Sequence, residues 1–327
     1  MILDLIRGKN VLLAFSDPAG AKQILSFAAK NRNLFKLAVA VSDRVHSFYQ
    51  DFGFEVEDFK LGTPREWLVL NKIDLLITGT SLPLNLEIVL IEEASKYGVV
   101  SLSLIDHWIN MAARFEKADA LVLPDWIGII DERARQIAIE DGLPTAKLLI
   151  TGNTYHDFMV SWKPTISHND FLNSIGLPVD ATFILYAPEP LTTFNLQEKY
   201  GFTELDGIKI IYEAMRPVIS KNFYIIIKGH PNQKDEIFLS YIAEMSDYRL
   251  QYFKNLNINN LFYYSECVVG FFSNSLIEAN KLGKLVVRPL MMLSSSAIDP
   301  LKTIESSRFL TFYDNEKFIK AVQAIAH

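Results

Sequence analysis

The sequence predicts an α/β protein with two doubly wound, mostly parallel sheets, and three observations support this prediction. Short apolar runs alternate with stretches of helical apolar spacing, which is typical of repeated βα units. The chain has 327 residues, of which half are hydrophobic, and this length exceeds what one hydrophobic core usually supports. The alternation lapses between residues 155 and 180 and then restarts, which indicates a crossing between two domains.

The first elements are a strand, a tight loop and a helix. Residues 11–15 are a β-like run, Ser16-Asp17-Pro18-Ala19-Gly20 is the loop, and residues 21–30 have helical spacing. The same alternation predicts the rest of the first half: a strand at 37–41, a helix at 46–52, a strand at 74–78, a helix at 86–97, strands at 99–105 and 120–123, a helix at 132–141 and a strand at 147–151.

Polar, Pro-containing sequence then separates the two halves, with one short helix predicted at about 169–175. The alternation resumes with a strand at 182–187, a helix at 205–219, a strand at 223–227, a helix at 235–244, a strand at 250–253, a helix at 258–264, a strand at 268–271, a helix at 275–282, a strand at 285–288 and a helix at 315–326. We expect an amino-terminal domain at 1–160, a carboxyl-terminal domain at 161–310 and a terminal helix within 311–327.

Charge, cysteine content and the amino terminus restrict the class of protein. The formal net charge of −6 argues against a nucleic-acid partner, because phosphate-backbone binding usually needs a basic excess. Cys267 is the only cysteine, so an internal disulfide and a CxxC site are excluded. Neither a signal peptide nor an apolar stretch of the ~20 residues that span a bilayer is seen. We expect a cytoplasmic protein, with a peripheral contact at the inner face of the membrane as an alternative.

Two polar segments of the second half directly follow predicted strands. Lys228-Gly229-His230-Pro231 follows the strand at 223–227, and Ser273-Asn274-Ser275 follows the strand at 268–271. Because parallel strands end at one edge of a sheet, both segments are expected to face one crevice. The imidazole of His230 can donate to a phosphate oxygen there, and Lys228 adds positive charge. The alternative is a solvated surface turn.

The serine segment also begins a predicted helix, whose first amides lack partners and favour an anion. Ser273 and Ser275 are ordinary N-cap residues too, and Ser275 with Glu278 could form a capping box that needs no ligand. Glu278 could instead accept hydrogen bonds from a ribose diol. Glu189, in Ala187-Pro188-Glu189-Pro190, ends another strand and is expected to contact the ligand or hold its own loop.

These segments, with Lys281-Leu282-Gly283-Lys284-Leu285-Val286, resemble the nucleotide-binding domain of GT-B-fold glycosyltransferases. The similarity is to bacterial capsule and lipopolysaccharide enzymes with an HP motif and a later S-S/T motif, including sialyltransferase-like and Kdo transferase-like families. It implies the GT-B fold, two Rossmann-like βα domains facing across a cleft. It also implies that His230, Ser273 and Ser275 contact the donor's phosphate. The further predicted donor-binding residues are Lys228, Pro231, Asn274, Glu278 and Glu189. This chain has Ser-Asn-Ser where those families have adjacent hydroxyls.

A second segment resembles a neighbouring group of GT-B proteins. Leu149-Ile150-Thr151-Gly152-Asn153-Thr154-Tyr155-His156-Asp157 is similar to the TGN(T/P)xxD segment that ends the amino domain of UDP-GlcNAc 2-epimerases. The epimerase pattern also has a Gly-Gly pair after the later serine, where this chain has Asn274-Ser275. Together the two resemblances cover about residues 147–290. A hydrogen-bonded pair near the hinge is the expected role of His156 and Asp157.

The amino half is then expected to bear the acceptor and a catalytic base, since transfer to a hydroxyl needs a group that takes its proton. The loop after the first strand offers Asp17 as a base, with Ser16 and Gly20 beside the acceptor. Its small residues allow a ligand to approach the backbone. Asp17 is equally well explained as an N-cap or turn residue.

Asp106-His107-Trp108 is the other candidate, because it combines an acid, a titratable base and a stacking surface at the end of a predicted strand. Asp106 is the leading base and His107 the substitute, while Trp108 and Arg114 are expected to bind the acceptor. The alternatives are a helix cap for Asp106 and an interface contact for Trp108.

Several other chemistries lack their motifs. The sequence has no HExxH, GxSxG, P-loop or GxGxxG pattern and no DxD after a strand, so we expect neither a metal nor a cofactor. The leading prediction is therefore a metal-independent glycosyltransferase of bacterial surface polysaccharide synthesis, whose partners are a nucleotide-sugar donor and a glycan acceptor. The alternatives are a nucleotide-sugar 2-epimerase or hydrolase, and a non-catalytic nucleotide-sugar-binding protein.

Overall fold

The computed structural model describes residues 2–44, 47–81, 86–297 and 299–325. The chain divides into two compact units, Met1–Phe158 and Met159–His327. Each unit is built on one parallel sheet with helices between its strands. None of the helices in the described ranges is long and apolar enough to span a bilayer.

The amino-terminal unit contains a seven-stranded sheet in the order β3-β2-β1-β4-β5-β8-β9. Its strands are β1 (Asn10–Phe15), β2 (Leu37–Ser42), β3 (Val56–Asp58), β4 (Leu75–Thr78), β5 (Val100–Leu104), β8 (Trp126–Ile129) and β9 (Leu148–Ile150), and β6 (Glu116–Lys117) and β7 (Ala120–Leu121) form a separate antiparallel hairpin. Its helices are α1 (Ile2–Ile6), α2 (Pro18–Lys30), α3 (Leu86–Tyr97) and α4 (Glu132–Glu140), followed by α5 (Thr154–Ser161) at the boundary of the units.

The carboxyl-terminal unit contains a six-stranded parallel sheet in the order β12-β11-β10-β13-β14-β15. Its strands are β10 (Thr182–Tyr186), β11 (Phe223–Lys228), β12 (Leu250–Phe253), β13 (Cys267–Val269), β14 (Leu285–Pro289) and β15 (Phe309–Phe312). Its helices are α6 (His168–Ser174), α7 (Gln197–Tyr200), α8 (Glu204–Met215), α9 (Glu236–Met245), α10 (Ile258–Tyr264), α11 (Asn274–Lys281) and α12 (Asn315–Gln323).

The strand order reverses once in each sheet. In the amino-terminal unit the chain moves outward from β1 to β2 and β3 and then returns to β4 on the other side of β1. In the carboxyl-terminal unit the reversal lies between β10 and β13. Ligands of open parallel sheets bind beyond the carboxyl ends of the strands at such a switch point. The loops after β1 and β4, and those after β10 and β13, are therefore the candidate binding loops.

Most predicted elements are present, and the differences have local causes. The strand predicted at 120–123 corresponds to β7, which lies in the hairpin, and the neighbour of β5 in the sheet is β8, which was not predicted. Glycine is unfavourable in strands, so Gly128 weakened the β pattern of this segment. The structure requires glycine at this position, because a Cβ would lie 2.5 Å from the Leu104 side chain. The helix predicted at 46–52 is a 3₁₀ helix over Ser47–Phe52, and His46 and Ala326 fall outside the described residues.

Several other elements were not predicted because they are short or irregular. They include α1, α5, β3 and β15, the single turn α7 and a π-helical turn at Glu66–Leu70. The helix α5 lies where polar and Pro-containing sequence led us to expect an irregular crossing. The terminal helix α12 packs within the carboxyl-terminal unit, against α8, β14 and β15.

The largest fully buried side chain belongs to Arg288 on β14. Its Nε donates to the Phe271 carbonyl at 2.7 Å, and its Nη2 donates to Asp299 at 2.5 Å. Both side chains of the ion pair are at most 5% exposed. Because an ion pair in the interior is costly to break on one side only, Arg288 fastens the loop after β13 to the segment after β14.

We predict that Arg288→Met lowers the free energy of unfolding by about 3–5 kcal/mol, because Asp299 would remain buried without its cation. Arg135→Met is the matched control: Arg135 pairs with Glu132 at the surface, and exposed pairs contribute about 0–1 kcal/mol. Chemical denaturation followed by circular dichroism measures both. Equal, small losses in the two variants would show that the buried pair does not stabilise the unit.

Candidate functional site

The binding loops of the amino-terminal unit approach each other at two glycines. A Cβ on Gly79, which follows β4, would lie 3.0 Å from the Cα of Gly20, at the start of α2. A Cβ on Gly20 would lie 3.3 Å from the Cα of Gly79. Side chains at either position would push the backbones apart, so this close approach depends on glycine at both positions.

A buried carboxylate that sequence analysis missed holds these loops together. Glu87, in the first turn of α3, is 3% exposed. Its Oε1 accepts from the Ser16 amide at 3.0 Å and from the Ser81 hydroxyl at 2.5 Å, and its Oε2 accepts from the Ser16 hydroxyl at 2.9 Å. Ser81 in turn accepts from the Asp17 amide at 3.1 Å. Ser16 is thereby a structural residue of the loop, and Glu87 fixes the backbone that carries Asp17.

Asp17 is the N-cap of α2, as the alternative prediction held. Its Oδ1 accepts from the Gly20 amide at 2.6 Å, and Pro18 occupies the first helical position. Burial raises the pKa of Asp17 above its usual range, and the negative charge of Asp106 adds to this shift, whereas the Gly20 amide and Arg114 oppose it. Asp17 therefore holds its proton more tightly than an exposed aspartate.

Asp106 and Arg114 form an ion pair next to this loop. One Arg114 nitrogen, Nη1, lies 3.0 Å from Asp106 Oδ1, 2.8 Å from the Thr80 carbonyl and 2.9 Å from the Thr80 hydroxyl. The side chains of Arg114 and Asp106 are 10% and 14% exposed. The Nε of Arg114 is buried and has no hydrogen-bond partner among the described residues. The structure thus joins Asp17, Asp106 and Arg114 in one polar cluster at the carboxyl edge of the sheet.

His107 and Trp108 both form hydrogen bonds within the amino-terminal unit. Burial lowers the pKa of His107 although Asp106 opposes the shift, and its Nδ1 accepts from the Trp108 amide at 2.9 Å. The neutral ring therefore carries its proton on Nε2. The Trp108 indole donates to both oxygens of Asp131, the N-cap of α4, at 3.1 and 3.0 Å. Trp108 thus packs on its own unit.

The binding loops of the carboxyl-terminal unit follow three adjacent strands, β11, β10 and β13. Gly229 turns the chain after β11, and a Cβ there would clash with the hydroxyl of Tyr252. Tyr252 and Lys254 both bind Asp235, at 2.7 and 2.8 Å, and Lys254 also donates to the Gln233 carbonyl at 2.8 Å. Only glycine at position 229 therefore lets the His-Pro turn pack on this network.

His230 is held in a defined protonation state. Its Nδ1 accepts from the Asn232 amide at 3.1 Å, so the proton of the neutral ring is on Nε2. Burial, followed by the charges of Lys228 and Lys254, lowers the pKa of His230 to about 4. At neutral pH His230 is therefore an uncharged hydrogen-bond donor. Lys228 directs its Nζ to the Gly229 carbonyl at 2.9 Å.

Glu204, which sequence analysis did not single out, supports the same turn. It is fully buried at the start of α8. Its carboxylate accepts from the Thr192 amide and hydroxyl at 3.1 and 2.6 Å and from Gln233 at 2.7 Å. Glu204 therefore ties the loop after β10 to the loop after β11. A glutamate at a helix start looks like ordinary helix sequence, so no sequence signal marks this role.

The serine loop differs from the predicted capping box. Ser273, and not Ser275, is the N-cap of α11, and its Oγ accepts from the Ser275 amide at 3.2 Å and from the Ser275 hydroxyl at 2.8 Å. Glu278 lies further along α11 and is 8% exposed. The capping box between Ser275 and Glu278 is wrong because the helix begins one residue earlier than predicted.

The amides of this loop are largely occupied, which sequence analysis did not foresee. Glu189 Oε1, in the loop after β10, accepts from the Phe272 amide at 2.6 Å and from the Ser273 amide at 2.5 Å. The Leu276 amide donates to the Ser273 carbonyl at 3.0 Å. Fewer free amides than predicted are therefore left at the start of α11 to bind an anion.

Near the predicted hinge, the Asp157 carboxylate binds Lys30 at 2.8 Å on the surface, and the His156 amide donates to the Asn153 side chain at 3.1 Å. In the described part of the chain, no group of three or more His, Cys, Asp or Glu side chains is arranged to hold a metal ion.

Comparison with known proteins identifies the fold. No family model matches the chain, and no curated protein matches its sequence significantly. Similar solved structures include the UDP-GlcNAc 2-epimerase of Methanocaldococcus jannaschii, with a TM-score of 0.66 and 14% identity over 97% of this chain and 93% of that one. The Neisseria meningitidis UDP-GlcNAc 2-epimerase bound to UDP-GlcNAc gives 0.64 and 14% over 97% and 94%. Anabaena HepE in complex with UDP-glucose gives 0.59 and 13% over 96% and 89%.

These similarities confirm the predicted fold class, two Rossmann-like α/β units of the GT-B kind. They contradict the leading functional prediction. The assignment to a glycosyltransferase of surface polysaccharide synthesis is wrong, because the structural relatives are UDP-GlcNAc 2-epimerases, and the sialyltransferase-like and Kdo transferase-like relationship finds no support. The prediction was wrong because the His-Pro turn and the serine loop, from which a phosphate ligand was expected, carry no information about the reaction.

We predict that the free energy of unfolding of the ligand-free protein decreases in mild acid, because His230 must then be protonated in its buried position. Its folded pKa of about 4 lies below the ~6.5 of an unfolded histidine. This contribution is therefore complete above about pH 6.5 and is lost as pH falls towards 4, by about 3 kcal/mol at most. His230→Asn should flatten the stability–pH curve in this window, measured by urea denaturation.

His168→Asn is the control for this measurement, since His168 is exposed on α6. A His230→Asn curve parallel to that of the wild type would show that the ring is not held neutral.

Proposed function

We propose that this protein is a nucleotide-sugar 2-epimerase whose substrate is a UDP-linked 2-acetamido sugar. The fold supports this proposal over almost the whole chain, since proteins named as UDP-GlcNAc 2-epimerases match 97% of it. One of them is bound to UDP-GlcNAc, and HepE is in complex with UDP-glucose. Ligands of this class share a uridine diphosphate, so the site must first be able to hold a diphosphate.

The observation that carries the proposal is the neutral Nε2–H donor of His230 at the carboxyl edge of the second sheet. Lys228 and Lys254 lower its pKa and so lie within electrostatic range of the ring. Two cations and a neutral donor are suited to a diphosphate. The lysines supply positive charge, and the imidazole donates a hydrogen bond in a fixed direction. Ser273 and Ser275, at the end of β13, supply hydroxyls on the same edge.

Inversion at C2 of a sugar needs a base that removes the C2 proton and an acid that returns one to the opposite face. The C2 proton is weakly acidic, so it is removed as the C1–O bond to UDP breaks, which forms a C1=C2 double bond. UDP then adds back to C1 as a proton is delivered to the opposite face of C2, and the positive groups around His230 stabilise the UDP while it is free. We assign proton transfer to the cluster of the amino-terminal unit. Asp106, paired with Arg114, is assigned as the base, and Asp17, whose pKa is raised by burial, is assigned as the acid.

The first test is solvent exchange at C2. UDP-GlcNAc incubated with the protein in D₂O should lose its C2 proton signal in the ¹H NMR spectrum without any added acceptor, because each inversion replaces that proton by solvent deuterium. His230→Ala should weaken UDP binding by roughly 10–100-fold, the effect of losing one hydrogen bond to a charged group. UDP binding without exchange at C2 would instead indicate a binding protein.

The second test separates binding from proton transfer. Asp106→Asn should reduce the rate of C2 exchange by about 10²–10⁴-fold, the usual contribution of a general base, while UDP affinity stays within about threefold of the wild type. Asp119→Asn is the control, since Asp119 is exposed with a φ of 64°, a conformation that asparagine also tolerates. Full exchange activity in Asp106→Asn would remove Asp106 from the reaction.

A further inference from the structure

The carboxyl group of Glu189 is only half satisfied by the protein. Its Oε1 accepts from two successive amides, those of Phe272 and Ser273, at 2.6 and 2.5 Å. Its Oε2 is buried and has no hydrogen-bond partner among the described residues. A buried polar atom without a partner is uncommon and needs an explanation, such as a ligand that completes it.

The two amides also determine where a proton on this group would lie. An oxygen that accepts from two N–H donors cannot itself carry a proton directed at them, so protonation must occur on Oε2. Burial raises the pKa of Glu189, although the amides of Phe272 and Ser273 act in the opposite direction. An ionised Oε2 would be a buried charge without a cation, which is the less favourable alternative.

The position of Glu189 relates this oxygen to the ligand site. The loop that carries Glu189 follows β10, and the amides that it binds lie between β13 and α11, so it joins the two sides of the switch point. Asn274, the first residue of α11, also has a buried side-chain oxygen, Oδ1, without a partner among the described residues. Two incomplete polar groups therefore lie at the start of α11, beside Ser273.

We propose that Glu189 acts as a neutral carboxylic acid whose Oε2–H donates a hydrogen bond to an oxygen of the bound diphosphate. The identity of that ligand rests on the proposed function above. A protonated carboxyl keeps the Phe272 and Ser273 amides in place through Oε1 and offers a donor through Oε2. An ionised carboxylate at the same position would repel the phosphate.

Among the described residues, no cationic side chain forms an ion pair with Glu189. Tyr186, on β10, and Tyr200, on α7, interact with it electrostatically, and burial raises the pKa of both, so both are neutral at pH 7. On the neighbouring elements, charged or titratable groups are present at Glu204 and Asp206 on α8, Lys228 and His230 after β11, Glu278 on α11 and Arg288 on β14. Arg288 itself is paired with Asp299.

The test compares Glu189→Gln with Glu189→Ala. Glutamine can accept from both amides through its oxygen and donate through its nitrogen, so it reproduces the protonated carboxyl. Titration calorimetry with UDP, and with pyrophosphate as a second probe, should give Glu189→Gln an affinity within about threefold of the wild type at pH 7. Glu189→Ala should bind 10–100-fold more weakly.

The pH dependence of the affinity shows whether Glu189 donates a hydrogen bond to the ligand or only positions the neighbouring loop. Wild-type affinity should fall as pH rises through the folded pKa of Glu189, which burial raises above its usual range, whereas that of Glu189→Gln should fall less. Glu198→Gln, an exposed change on α7, should follow the wild type throughout. Loss of affinity in Glu189→Gln equal to that in Glu189→Ala would overturn the proposal, because the charged form would then be the one required. Wild-type affinity in Glu189→Ala would overturn it as well.

A measurement without ligand separates this proposal from the proposed function. A folded pKa raised above the unfolded value means that the contribution of Glu189 to stability is complete below about pH 4.5 and is lost as pH rises through the folded pKa. Glu189→Gln should therefore gain stability relative to the wild type as pH rises. If this gain is seen but neither UDP nor pyrophosphate binds, the proposed ligand is wrong and the donor role with it. If UDP binds and the gain is absent, Glu189 is ionised and this proposal fails alone.

Discussion

A buried carboxyl group joins the two binding loops at the switch point of each unit. Glu87 binds Ser16, after β1, and Ser81, after β4. Glu189, after β10, binds the amides that follow β13. Parallel strands leave such loops with unpaired amides and hydroxyls at the carboxyl edge of the sheet, and these groups need acceptors once they are buried. A carboxyl group with several acceptor positions satisfies them together and fixes the loops to one another.

The positions of two candidate residues, Asp17 and Ser273, depend on these bonds. Asp17 is fixed because its amide binds Ser81, which Glu87 holds. Ser273 is fixed because its amide binds Glu189, while Arg288 holds the preceding carbonyl of Phe271. Rigid support of this kind keeps functional groups in place before a ligand arrives, which lowers the entropic cost of binding.

The same burial changes the charge of the groups at the site. His230 and His107 are kept neutral, and Asp17 and Glu189 hold their protons more tightly than exposed carboxyl groups do. In the carboxyl-terminal unit, lysines therefore supply the positive charge, while neutral donors offer hydrogen bonds of fixed orientation. A site of this composition suits a diphosphate whose charge increases as it leaves a sugar. The donor-binding roles and the acceptor roles of Trp108 and Arg114 stay predictions; in the structure both of these side chains bind groups of their own unit.

Sequence alone determined the fold class, the two-unit organisation and the loops that carry Asp17, Asp106, His230 and Ser273, because apolar periodicity and strand ends are local properties of the chain. It missed β8, whose glycine is explained only by the side chains of neighbouring strands, and β15, which is short. It also chose the wrong reaction, since phosphate-binding loops serve many chemistries. Only the tertiary structure revealed the roles of Glu87 and Glu204, and showed that the carboxyl group of Glu189, a residue already selected from the sequence, is half satisfied. Their roles depend on partners up to 84 positions away in the sequence, and no local pattern records which amides a distant carboxyl group will meet.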